Sequence, residues 1–297
     1  MRTFAVAKAQ GTGNDFIVFD NATRERLPFA MLAQRWCARR FGIGADGLLV
    51  LEPPTDRDAD IALTIFNADG SEAEMCGNGI RCVARFLEQT RPHAPKTLTV
   101  QTASGPVRTR LIGRDGSIQV VVEMGVPRFA KSEIPMRGDA DARALDETVI
   151  VSDGPLRVCA LSIGNPHCVT FIETPLEAAD LAAHAAALAR LDLFPNGANY
   201  ELARVAGSAL SMRVFERGVG ETQACGSGAC AVAVAAIITG RAKSPVDVHM
   251  PGGPVRVEWA GPGASVTLTG PAEIVFFAEI AVPEDVLAAF HAQAVAE

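Results

Sequence analysis

A chain of 297 residues with 48% hydrophobic and 21% charged residues can bury one large core or two of ordinary size, and no apolar run approaches the roughly 20 residues that span a bilayer. A formal net charge of −7 with no cluster of Lys or Arg argues against nucleic acid as a partner and for a small-molecule ligand. The seven cysteines lack a CxxC and lack histidines at zinc-finger spacing, so they read as free thiols in a reducing compartment rather than as disulfides or a structural zinc site.

The N-terminal "MRTFAVAKAQGTGNDF" has no long apolar stretch and no suitably placed cleavage site, and the expectation is a cytoplasmic protein. Short β-like runs then recur: "TFAVAKA", "FIVFD", "LLVLE", "IALTIF", "TLTVQTA", "IQVVVE", "TVIVS", "RVCALSI", "CVTFI", "SMRVF", "VDVHM", "VRVEW", "SVTLTG" and "EIVFFAEI". Helical patterns are confined to 28–40, 78–89, 175–191, 226–239 and 283–294. So many strands cannot alternate with so few helices, which excludes a simple βαβ array and predicts α+β with mixed, mostly antiparallel sheets. No low-complexity linker is visible, and the softest boundary is "GVPRFAKSEIPMRGDADA", residues 125–142.

An internal repeat organises the rest. "FNADGSEAEMCGNG" (66–79) aligns with "FERGVGETQACGSG" (215–228), matching Phe66 with Phe215, Glu72 with Glu221, Cys76 with Cys225, Gly77 with Gly226 and Gly79 with Gly228. The offset of 149 residues is half the chain, and at nearly the same offset "GNDFIV" lies over "GNPHCV", pairing Asn14 with Asn165. The economical inference is a duplicated domain, each copy carrying a cysteine at a helix start.

A lone cysteine usually packs as a small hydrophobe, and that reading holds for Cys37, Cys82, Cys159, Cys168 and Cys230. Cys76 and Cys225 differ. Each precedes a helical run whose N–H groups and dipole would lower the thiol pKa, each is flanked by glycines that admit another molecule, and the pattern occurs twice. Two glycine-rich helix starts can cradle a carboxylate while two thiols remove and return a proton at the adjoining carbon. A nucleophilic enzyme needs one thiol with a basic partner, whereas two equivalent thiols suggest an acid/base pair.

A pyridoxal phosphate enzyme needs a Schiff-base lysine, and Lys8, Lys96, Lys131 and Lys243 lie in no such motif. "FGIGADG" satisfies GxGxxG at Gly42, Gly44 and Gly47, but a helix precedes it and a strand follows, the reverse of a dinucleotide site. Asn14 and Asn165 suit either turns or ligand contact. His167 suits either a structural role or tuning of thiol pKa. Glu216 and Arg217 are either a solvated pair or a grip on a zwitterionic substrate, Arg217 offering a carboxylate-matching fork.

Taken together, "GTGNDFIVFDN", "FGIGADG", "FNADGSEAEMCGNGIRC", "SIGNPHCV" and "ERGVGETQACGSGACA" closely resemble diaminopimelate epimerase across nearly the whole chain. The resemblance implies an α+β fold of two pseudo-symmetric domains, each a mixed, mostly antiparallel sheet wrapped around a central helix, with the active site in the cleft between them. The domains would be 1–125, completed by 276–297, and 126–275. It implies a homodimer, no cofactor and no metal, and interconversion of LL- and meso-2,6-diaminopimelate for lysine and peptidoglycan precursors. Carried over by motif position, Cys76 and Cys225 correspond to the acid/base thiols, and Gly77, Asn78, Gly226 and Ser227 to the backbone cradle of the reacting carboxylate. Asn14, Asn67, Asn165, Asn199, Glu216 and Arg217 fall where the family contacts the remaining amino and carboxylate groups, and His167 and Glu216 where it tunes the thiols. Gly47 departs from members with a glutamine there, so any substrate contact must come from backbone or water. Two alternatives stand beside this reading: a related proline or hydroxyproline racemase, and a thiol-based redox or binding protein.

Overall fold

The computed structural model describes residues 1–91, 93–113, 118–282 and Glu284. The first stretch forms β1 (Arg2–Gly11), β2 (Asn14–Asp20), α1 (Phe29–Cys37), β3 (Gly47–Glu52), β4 (Ile61–Asn67), β5 (Glu72–Ala73) and α2 (Gly77–Thr90). Next come β6 (Thr97–Thr102), β7 (Gly105–Ile112), β8 (Gln119–Gly125), β9 (Glu147–Val151), β10 (Gly154–Ser162), β11 (Pro166–Phe171) and α3 (Leu181–Ala189). The last stretch contains β12 (Asn199–Ala206), β13 (Ala209–Glu216), β14 (Gly220–Thr222), α4 (Gly226–Ile238), β15 (Val246–Met250), β16 (Gly253–Glu258), β17 (Val266–Gly270) and β18 (Glu273–Val282).

The chain divides into two compact units, one holding Met1–Val120 and the chain from Pro271, the other Val121–Gly270. Residues 125–142 thus fall inside the second unit. In the first, β1–β2, β3–β4, β4–β5 and β6–β7 pair antiparallel, while β2–β3 and β4–β6 pair parallel. The second repeats this sense for sense: β10–β11, β12–β13, β13–β14 and β15–β16 antiparallel, β11–β12 and β13–β15 parallel. Even single cross-strand pairs recur, since Phe66 faces Glu72 and Phe215 faces Glu221. β18 lies antiparallel on β1 as β9 lies on β10, so a strand from the chain's end takes the place that β9 fills locally.

One helix sits against each sheet. α2 packs on β1, β2, β7 and β18, and α4 on β10 to β13 and β15 to β17. α4, "GSGACAVAVAAII", is apolar on every side and has ten buried residues, the pattern of a helix enclosed by its sheet. Fully burying each valine contributes about 1.5–3 kcal/mol, which outweighs valine's modest helix propensity. α1 covers β2, β3 and β4 with Leu32 and Trp36, the indole meeting Phe4 and Phe19 edge-on or tilted at about 6.1 Å.

The sequence patterns are shifted in places. The segment 175–191 is not one helix: Asp180 caps α3 by accepting the Ala183 N–H at 2.9 Å, and only a short 3₁₀ turn precedes it. β5, β7, β12 and β14 lack a clear β signature. β12, "NYELARVA", is charged and irregular in period, yet its first five residues are buried because β11 and β13 flank it. The helical pattern at 283–294 lies outside the described residues apart from Glu284. Among the described residues no helix is long and apolar enough to cross a membrane.

Candidate active site

Each unit builds the same device at its central helix. Cys76 is the N-cap of α2 and accepts the Gly79 N–H at 3.4 Å; Cys225 is the N-cap of α4 and accepts the Gly228 N–H at 3.4 Å. Oxygen side chains dominate N-caps, so a sulfur in that place twice is not a choice made by helix stability. The first N–H groups of a helix have no intrahelical partner, which makes Gly77, Asn78, Gly226 and Ser227 the natural lining of an anion cradle.

In the first unit Asn14 starts β2 and turns its Oδ1 toward the thiol, 3.8 Å from Cys76 Sγ and 3.1 Å from the Asn78 amide nitrogen. Asp46 fixes that orientation by accepting from Asn14 Nδ2 at 2.7 Å and from the Asp15 N–H at 3.1 Å. Arg39 bridges Asp15 and Asp46 at 2.8 and 2.7 Å, and Lys8 binds Asp15 at 2.5 Å. These cations hold the Asp15 carboxyl below its usual range although burial opposes them. Gly47 lies across the β3–β4 ladder from Asn67, and a Cβ there would stand 2.7 Å from the Phe66 carbonyl oxygen. Any side chain there would need the Phe66 backbone to shift. Asn67, exposed at the end of β4, donates to Ser71 Oγ at 2.9 Å.

In the second unit His167 faces Asn199 across the parallel β11–β12 ladder, as Phe16 faces Gly47 across β2–β3. The Asn199 side chain donates to the Pro166 carbonyl at 3.2 Å and accepts the Arg217 N–H at 2.9 Å. Arg217 is exposed, with one guanidinium nitrogen on the Asn196 carbonyl at 3.0 Å, and Glu216 accepts from the Thr222 hydroxyl. Ser227 Oγ lies 3.5 Å from Cys225 Sγ. His167 is fully buried and engaged at both nitrogens, Nδ1 at 2.6 Å from Glu201 Oε1 and Nε2 at 2.9 Å from Asn165 Oδ1.

The helix start was expected to lower the thiol pKa, and at Cys225 the balance runs the other way. Burial pushes this thiol well above its ordinary value, the Glu216 and Glu201 carboxylates push in the same direction, and the Ser227 hydroxyl and Gly228 N–H only partly oppose them. Cys225 is 5% exposed, and one weak N–H···S bond cannot replace the water that a thiolate loses there. Cys225 therefore rests as the neutral thiol.

Two further residues belong to this constellation. Asp46 lies within "FGIGADG" and carries no motif of its own, because its carboxylate acts through Asn14. Glu201 lies on β12, the strand whose irregular pattern hid it. The strand registers of the two units reveal Glu201, setting it over Leu49 as they set His167 over Phe16.

Comparison with known proteins fits this architecture. The family model for diaminopimelate epimerase matches residues 6–130 and 159–275, which include both cysteine caps and both asparagine turns. A diaminopimelate epimerase of Moorella thermoacetica is 44% identical over 91% of this chain and 96% of its own length. The chain belongs to the diaminopimelate epimerase family. It is thus an isomerase of the racemase and epimerase class. The family's Azotobacter vinelandii member is 44% identical over 92% of this chain and 97% of its own length. Beyond the family the fold is shared more widely. A hydroxyproline epimerase from Agrobacterium vitis, with bound trans-4-hydroxy-L-proline, superposes with a TM-score of 0.70 at 16% identity over 97% of this chain and 96% of its own. A Bacillus anthracis phenazine biosynthesis protein of the PhzF family gives 0.69 at 16% identity over 95% and 100%. At such identities the likeness is one of fold alone.

Proposed function

We propose that this chain epimerises LL- to meso-2,6-diaminopimelate by exchanging one α-proton between Cys76 and Cys225, without a cofactor, in the cytoplasm and on the route to lysine and peptidoglycan precursors. The observation that carries the reading is the thiol built twice at a helix start, in a chain belonging to the diaminopimelate epimerase family. One thiolate removes the α-proton from one face, the opposite thiol delivers a proton to the other, and turnover exchanges their states.

The N–H groups of Gly77, Asn78, Gly226 and Ser227 receive the α-carboxylate, where enolate-like charge develops. Asn14, Asn67, Asn165, Asn199, Glu216 and Arg217, with the backbone of Gly47, receive the remaining amino and carboxylate groups. Glu216 also raises Cys225, keeping it protonated until the substrate ammonium neutralises that charge, and His167 completes the tuning. The lysines support the cofactor-free reading: Lys8 and Lys131 are engaged by Asp15 and Glu147, while Lys96 and Lys243 are exposed. The acting species is a homodimer, for which the exposed Val275, Phe276 and Phe277 of β18 supply apolar surface.

The deciding experiment incubates reduced protein with LL-diaminopimelate in heavy water without added cofactor. Meso product carrying solvent deuterium at the inverted carbon is expected. Substrate returned without inversion or label refutes the proposal.

A further inference from the structure

The two units place different chemistry in the same pair of slots. In the first unit the side chains are Phe16 and Leu49, 3% and 0% exposed. In the second, at matching strand registers, they are His167 and Glu201, both 0% exposed. Leu49 and Glu201 lie under the first turn of their central helices: a Cβ built on Gly79 would stand 3.1 Å from Leu49 Cδ2, and one on Gly228 would stand 3.1 Å from Glu201 Oε1. An apolar pair thus satisfies this fold completely. A buried carboxylate and imidazole carry a desolvation cost that leucine and phenylalanine avoid. Glu201 does not even use its full bonding capacity, because Oε2 is buried without a hydrogen-bond partner among the described residues. Its short bond goes to His167, with the Cys168 backbone N–H as a further donor to the carboxyl group.

That bond has a geometric consequence. Asn165 Oδ1 can only accept, so Nε2 carries a hydrogen, and the 2.6 Å contact then holds a second proton, either on Nδ1 as imidazolium and carboxylate or on Oε1 as neutral imidazole and carboxylic acid. In both cases Nε2 carries a hydrogen and donates to Asn165 Oδ1 at 2.9 Å. The Asn165 amide is thereby locked with Nδ2 as its outward group, a donor. The corresponding Asn14 is held the opposite way, its Nδ2 given to Asp46 and its Oδ1 accepting beside Cys76 and from Asn78 Nδ2.

We propose that Glu201 is a positioning residue, which keeps a proton on His167 Nε2 so that Asn165 presents its amide nitrogen to a substrate carboxylate. The proposal deepens the function given above and rests on it. The ionisable groups facing Glu201 are His167 and Cys168 from β11, Glu216 from β13 and Cys225 at the start of α4. Burial raises the Glu201 pKa, and Glu216 adds to that shift while His167 opposes it. Without Glu201, His167 is free to adopt either tautomer. The Nδ1–H form leaves a bare Nε2 that turns Asn165 around and presents an oxygen to the carboxylate.

The test uses the full chain with diaminopimelate. Glu201→Leu should raise KM about tenfold or more, the usual worth of one hydrogen bond to a charged group, with a smaller effect on kcat. In a His167→Phe background the same substitution should change KM less than about twofold. The double variant restores the apolar pair of the first unit and should unfold at or above the wild-type temperature. In wild-type protein the ¹⁵N signal of His167 Nε2 should show a bound proton under the assay conditions. An unchanged KM in Glu201→Leu, KM factors that multiply in the double variant, or a bare Nε2 in the wild type would each overturn the proposal. If wild-type protein fails to invert diaminopimelate, the functional reading is what falls, and the nitrogen spectrum alone decides the role of Glu201.

Discussion

Replacing Gly228 by alanine sets two calculable effects against each other. Glycine to alanine within a helix ordinarily stabilises by about 1 kcal/mol. Here the new methyl would stand 3.1 Å from Glu201 Oε1 and 3.3 Å from both Cβ and Sγ of Cys225. Glu201 cannot retreat, because His167 holds it at 2.6 Å in a fully buried site. Overpacking of a rigid core costs about 1–3 kcal/mol, so crowding wins by about 1 kcal/mol on balance. That corresponds to about 2–4 °C in Tm for a unit of this size. Gly79→Ala is the internal control: its nearest neighbour is the Leu49 Cδ2 methyl, also at 3.1 Å, which can move by side-chain rotation. Calorimetry should therefore find Gly228→Ala lowered and Gly79→Ala at or above wild type. The epimerase assay should show the greater loss of kcat in Gly228→Ala, where the methyl also presses on the thiol. Equal melting temperatures for the two variants, or a Gly228→Ala enzyme with full activity, would refute the crowding argument.

Cys76→Ala and Cys225→Ala should each abolish inversion, since either leaves one face without a proton carrier, while circular dichroism and Tm stay near wild type; near-normal turnover in either variant would exclude the two-thiol scheme. Stability should also fall at alkaline pH. Burial raises the Cys82 thiol to about 12, and the residue is fully buried, so the unfolded chain ionises near 8.5 while the folded chain stays protonated. The stabilising protonated form is retained below about pH 8.5 and its contribution is lost progressively up to about 12, at about 1.4 kcal/mol per pH unit. Melting under reducing conditions should show a steady decline from pH 8.5 to 10.5, flatter in Cys82→Ala, and a level Tm in wild type would contradict the assignment.

The duplication, both cysteine caps and the asparagines beside glycine turns were legible in the sequence because each rests on short-range information: a repeated residue order, a helix start, a turn that needs glycine. The strands with clean alternation were legible for the same reason. β12 was not, since nothing local distinguishes "NYELARVA" from a polar loop; its burial comes from β11 and β13, which the fold brings to either side of it. Glu201 was hidden with its strand. Its 2.6 Å bond to His167 joins residues 34 apart through a parallel ladder, and no spacing rule anticipates that contact. The direction of the Cys225 shift likewise belongs to the tertiary structure, because a helix start favours the thiolate locally while burial and two carboxylates from β12 and β13 act through space. Sequence determined the duplicated glycine-flanked thiols and the asparagines at the turns. Only the folded sheet decided their protonation and orientation, because both depend on water excluded and partners supplied by distant strands.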